Sequence, residues 1–174
     1  MHNNTKKSRL LGENICIVHY LGLLECIAPS KDKIGFAAGS SATLDGRSSE
    51  ERLIELVENA QLNDLLFRSS ENCKQVAIHV SKNGFKLSTG NVLDRVPLLC
   101  VIQSVAYENH DRRGNIIFLV QKLLNSRFQC HLFQTKSVSD AEHICTLLHQ
   151  AFHSLDTAPP PCPLPFISIH PKHS

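Results

Sequence analysis

Between residues 74 and 135 the chain alternates five apolar runs with turn signals, and an amphipathic stretch at 138–155 then follows with no further strand. Runs of this length, rich in Val, Ile and Phe and punctuated by Asn-Gly, Gly-Asn and a charged turn, read as short antiparallel strands. The terminal helix has to bury its apolar side against the sheet they form. That order restricts the chain to a small α+β domain in which a helix closes an antiparallel sheet.

The individual elements can be placed. Segments 75–80 and 85–88 flank Ser81-Lys82-Asn83-Gly84, where Asn-Gly is expected to supply the left-handed backbone of a tight hairpin. Gly90-Asn91 makes the next turn, and Val92 and Leu93 begin a short strand. Pro97 then precedes LLCVIQSVAY at 98–107. Because proline within sheets is confined to edges, strand starts and bulges, 98–107 is a candidate edge strand. The polar turn NHDRRG at 109–114 leads into 115–122 and 127–135, which complete the meander.

Upstream, NICIVHYL at 14–21 forms the first strand and ends at Gly22. Ser48-Ser49-Glu50-Glu51 has the S-x-x-E form of a capping box, so a helix starts there. Its apolar face is Leu53, Ile54, Leu56, Val57 and Ala60, and its end lies near Asn63. The last helix takes Ser137 or Ser139 as N-cap, with Ser139-Asp140-Ala141-Glu142 as a second box. Its apolar face is Val138, Ala141, Ile144, Cys145, Leu148, Ala151, Phe152 and Leu155.

With 174 residues and 42% apolar content, one core is the expectation. The domain spans 14–156, between a disordered start at 1–13 and a Pro-rich disordered tail at 157–174, with a solvated loop at 29–48. Eighteen Lys and Arg against 16 Asp and Glu leave a net charge of +2, too little for nucleic acid to be an obligatory partner. No run approaches the roughly 20 apolar residues of a membrane-spanning helix, and residues 1–14 have no signal-peptide core, so a soluble intracellular protein is expected.

The seven cysteines are scattered without Cys-x-x-Cys spacing and read as small core hydrophobes; no metal site and no cofactor are expected. His149 and His153 lack the H-E-x-x-H arrangement and read as an exposed helix face. Lys6, Lys7 and Arg9 read as a solvated terminus, and the proline tract 159–165 as a spacer. No nucleophile elbow, Gly-rich phosphate loop or Cys-His signature is present, so the chain is read as a non-enzyme.

IVHYLGLLE at 17–25, LIELVENAQL at 53–62, VSKNGFKLST at 80–89, VLDRVPLLCVIQSVAY at 92–107 and AEHICTLLHQAFHSL at 141–155 together resemble a phosphotyrosine-binding (PTB) domain. Within that family the chain is most similar to the integrin cytoplasmic-domain-associated branch, whose members bind integrin β tails. The likeness covers most of 14–156, while that branch's Ser-rich leader is absent and the 29–48 loop is this chain's own. The resemblance implies a pleckstrin-homology-like superfold: a seven-stranded orthogonal β-sandwich capped by the C-terminal helix, here with an extra helix after the first strand.

It also implies a ligand, an NPxY or NPxF segment from the cytoplasmic tail of a membrane receptor such as an integrin β subunit. The segment would add as a strand beside the C-terminal helix. The matching positions are Leu98, Leu99, Cys100, Val101, Ile102, Gln103, Ser104 and Val105 on the strand, with Leu148, Phe152 and Leu155 on the helix. Taken alone, 98–107 reads better as an ordinary core strand, and Phe152 reads equally as a helix anchor. Arg95, Arg112, Arg113 and Arg127 all lie off the groove strand, so recognition independent of tyrosine phosphorylation is expected.

A cytoplasmic protein recruited to the plasma membrane by receptor tails follows, with a nuclear location and a scaffold partner left open. The alternative within the same superfold is a phosphoinositide-binding membrane-surface module. Its basic supply would be SKDK at 30–33 and NHDRRG at 109–114.

Overall fold

The computed structural model describes residues 14–26, 46–125 and 127–156. The start with Lys6, Lys7 and Arg9, most of the 29–48 loop including 30–33, and the Pro-rich end with 159–165 fall outside them. The chain runs β1 (Ile15–Cys26), α1 (Ser49–Leu62), β2 (Gln75–Ser81), β3 (Gly84–Thr89), β4 (Asn91–Pro97), a 3-10 turn (Leu98–Cys100), β5 (Val101–Glu108), β6 (Gly114–Gln121), β7 (Phe128–Thr135) and α2 (Val138–Asp156). The strands form one antiparallel sheet in the order β4-β3-β2-β1-β7-β6-β5. No described helix is long and apolar enough to cross a membrane.

β1 differs from the expected strand, which stops at Gly22. It continues to Cys26, pairing with β2 through 15–19 and with β7 from His19 onward, across a bulge between Tyr20 and Gly22. Gly22 sits at φ +133°, where a side chain is strained, and a Cβ there would come within 3.0 Å of Leu66 Cδ2. The glycine thus bends the strand from one half of the sheet to the other instead of ending it.

Folding of the sheet onto itself follows from its aromatic contacts. β3 and β6 are four strands apart, roughly 19 Å in a flat sheet, yet the Phe85 and Phe118 ring centroids are 4.9 Å apart. The interior so enclosed holds Val18, Ile78, Phe85, Leu87, Val101, Ile116, Phe118 and Phe133, and Ile144 and Leu148 of α2 close it. A second core lies on the opposite face, where Leu53, Val57 and Ala60 of α1 cover Leu21, Val105, Ile117, Leu119 and Leu132. β6 and β7 are therefore buried on both sides; β6 is apolar from Ile116 to Val120, whereas β7 buries Gln129, His131, Gln134 and Thr135 among its apolar residues.

α1 begins as its sequence predicts. The Ser48 N–H donates to Glu51 Oε2 at 2.7 Å, and the Glu51 N–H donates to Ser48 Oγ at 3.2 Å. Ser48→Ala is expected to cost about 1 kcal/mol in chemical denaturation; a parental midpoint would show the box to be dispensable.

Four further expectations are corrected or narrowed. In the β2–β3 hairpin the residue at positive φ is Gly84 alone, at +132°, while Asn83 keeps an ordinary backbone. β4 is longer than expected and Pro97 ends it, whereas 98–100 is a 3-10 turn and β5 starts only at Val101. Of the two expected caps of α2 it is Ser137 that serves, its Oγ accepting from the Asp140 N–H at 3.2 Å, and the Ser139 box is not used. Leu155 is exposed, off the helix's buried face.

His131 lies on the inner face of β7, stacked beside Phe133 and Tyr20. Its Nδ1 shares a hydrogen bond with the Tyr20 hydroxyl at 3.0 Å, and its buried Nε2 has no partner among the described residues. Burial lowers its pKa to about 4, with Asp94 opposing and Lys122 adding to the shift. Burial, with a smaller push from Asp94, raises the Tyr20 hydroxyl to about 12.

Candidate functional site

β5 closes one end of the sheet: β6 pairs with it on one side, and no described strand pairs with the other. In an antiparallel ladder alternate residues turn their N–H and C=O groups outward, so this side offers a row of donors and acceptors that no described strand takes up. Opposite-facing side chains of β5 divide between the two helices. Gln103 reaches α1, its Nε2 donating to Ser49 Oγ at 3.3 Å, and Val105 packs in the core beneath α1. Ser104 meets Cys145 of α2, and Ala106 packs toward the inner core.

The division is shifted at its start. Val101 and Gln103 would share a face in a regular strand, but a bulge falls between them, and Val101 enters the inner core. Ile102, at the bulge, is left 45% exposed.

α2 packs against β5, with Ser104 meeting Cys145, but beside the small Ala106 the contact leaves space open to solvent. A cleft of about 600 Å³ lies between them, lined by Ala106 and by Glu142, Cys145, Thr146, His149, Gln150 and His153 of α2. Burial pushes the Cys145 thiol up to about 11, a hydrogen bond with Ser104 opposing and Glu50 and Glu142 adding to the rise. The thiol is neutral near pH 7 and is no activated nucleophile. Glu142 is the one carboxylate of the lining, which contains no Lys or Arg. Among the described residues no three His, Cys, Asp or Glu side chains are placed to hold a metal ion.

The residues expected from the sequence fall into two groups. Ile102, Gln103, Ser104 and Val105 lie along the open edge, although the side chains of Val101 and Val105 are buried and only their backbone borders it. Leu99 projects from the 3-10 turn, 81% exposed, and Leu155 is exposed near the end of α2. Leu98 and Cys100 are core side chains of the 3-10 turn. Leu148 is wholly buried beneath α2, so its side chain cannot meet a docked partner, and Phe152 is half-buried against the inner core. The cleft-lining residues of α2 were not among those expected. They recur at 142, 146, 149, 150 and 153, a helical stripe beside the apolar one, and that spacing is the signal that could have found them.

No family model matches this chain, and no curated protein does.

The two ends of the sheet are unlike. β4, at the far end, carries Asp94 and Arg95, finishes in Pro97, and has a bulge in its pairing with β3 between Leu87 and Ser88. Charges, proline and bulges are the devices that stop a strand edge from recruiting another chain. β5 has no charged residue before Glu108 and no proline.

Proposed function

We propose that the protein is a non-catalytic adaptor of the PTB type that captures the cytoplasmic tail of a membrane receptor by strand addition to β5. The observation that carries this reading is the uncharged open edge of β5 beside the cleft against α2. An extended peptide there gains main-chain hydrogen bonds along the edge, and its side chains enter the cleft at every second position. The guarded β4 edge argues that this openness is selective. The sequence resemblance supplies the ligand class, an NPxY or NPxF segment of the integrin β type, and the protein would act in the cytoplasm where such tails end.

Recognition independent of phosphate is supported by the cleft's lining, which offers no guanidinium or ammonium for a phosphate to pair with. Arg113 is engaged elsewhere, its Nη1 donating to Ser70 Oγ at 2.6 Å. Titration of an unphosphorylated NPxY peptide into labelled protein is expected to shift amide resonances of 101–106 and of 142–153 on α2. The phosphorylated peptide is expected to bind no more tightly. Shifts confined to the 109–114 turn would favour a membrane-surface module and end this reading.

A further inference from the structure

The β6–β7 hairpin presents two apolar side chains that neither core takes in. Leu124 is fully exposed and Leu123 is 79% exposed. Hydrogen bonds hold the turn beneath them: the Lys122 N–H donates to the Arg127 carbonyl at 2.8 Å, and the Arg127 N–H to Asn125 Oδ1 at 3.1 Å. The leucines thus stand between hydrogen-bonded residues, at a standing cost in apolar exposure that the fold does not recover.

Their neighbours are informative. Lys122 and Arg127 flank the pair, both exposed. Val101 of β5 pairs with Val120 of β6, so the 3-10 turn bearing exposed Leu99 lies at this same end of the sheet. The Glu25 carboxylate on adjacent β1 accepts from the Gln129 side-chain amide at 3.1 Å, close to the same hairpin.

We propose that the β6–β7 hairpin inserts into the surface of an anionic lipid bilayer, Leu123 and Leu124 entering the acyl boundary while Lys122 and Arg127 meet the headgroup phosphates. Leucines between cations are the composition that interfacial insertion requires, since apolar burial and attraction to anionic lipid add. A lipid surface fits the pair better than a protein one: two leucines fall far short of the roughly 1,000 Å² that a specific protein interface needs, whereas a bilayer surface takes up a few apolar side chains flanked by cations. The 109–114 turn lies at the other end of β6, and none of Lys122, Leu123, Leu124 and Arg127 lines the β5 cleft, so the proposal stands or falls independently of tail capture.

Flotation of the full chain with phosphatidylcholine vesicles, with and without phosphatidylserine, tests this. Binding to the phosphatidylserine vesicles is expected, weakening as salt is added. Leu123→Ser/Leu124→Ser should lower it by roughly tenfold or more, and Lys122→Glu/Arg127→Glu should abolish it. Because these side chains are exposed, both variants should melt like the parent. The chain has no tryptophan, so Leu124→Trp provides a single reporter, whose emission should shift to the blue on phosphatidylserine vesicles and be quenched by brominated acyl chains. Emission that ignores the vesicles, or undiminished flotation of Leu123→Ser/Leu124→Ser, overturns the proposal.

Discussion

Val101→Glu is expected to abolish folding, whereas Ile102→Glu is expected to fold and to lose the tail peptide. Val101 is 6% exposed and enters the inner core that α2 closes. A carboxylate there has no cation to pair with in that apolar cluster and must stay charged at high cost or take up a proton. Such substitutions belong to the class that costs more than about 4 kcal/mol, a large share of the 5–15 kcal/mol typical of a domain.

Ile102 is 45% exposed at the bulge, so its replacement should leave the melting temperature close to parental while peptide affinity drops by tenfold or more, on the order of 1.4 kcal/mol. Circular dichroism and peptide titration on the two variants decide the matter. If both fold and both bind the tail peptide as the parent does, β5 is not the ligand edge and strand addition there must be given up.

Acid should destabilise the protein through His131. Its pKa is held at about 4 in the folded state, against about 6.5 in an unfolded chain. Between those values the unfolded state binds a proton that the native state refuses, so stability falls as pH falls. The contribution is intact above pH 6.5 and is lost progressively down to about pH 4; the difference of about 2.5 units corresponds to roughly 3 kcal/mol. His131→Phe removes the titrating group and should flatten the stability profile across that window, even though it also forfeits the Tyr20 hydrogen bond. Equal slopes for parent and variant in urea titrations from pH 7 to about 4 would place the acid sensitivity elsewhere.

Much of the fold was legible because its signals are local. The Ser48–Glu51 box marks α1 unaided, and the apolar density of 115–122 marks β6. The irregularities were not legible, because each serves a distant neighbour. Gly22 read as a stop, since a glycine after a strand does not say whether the chain turns or bends; its role appears only when β7 is there to receive the second half of β1. Pro97 was rightly associated with an edge, yet the strand it belongs to is β4, at the opposite end of the sheet. Leu148 and Phe152 share one apolar stripe, and periodicity alone cannot tell the middle of a stripe, which is buried, from its margin. The cleft lies where Ala106 of β5 meets α2, a juxtaposition of segments some forty residues apart that no local pattern carries.

The bulge between Val101 and Gln103 sets a reading frame for whatever strand is added to β5. Residues directly opposite across an antiparallel pair share a face, so a partner's residues facing Ser104 and Ala106 would be the ones delivered toward α2, and those facing Gln103, Val105 and Tyr107 would be turned toward α1. That phase holds only as far as Gln103. At Ile102 the parity of β5 is broken, and a ligand kept extended past this point would have its inward and outward residues exchanged. To stay in phase it has to bulge or turn there, so a tail suited to this edge should carry an irregular or turn-forming residue after an extended segment whose length is metered by the distance from Glu108 back to the break.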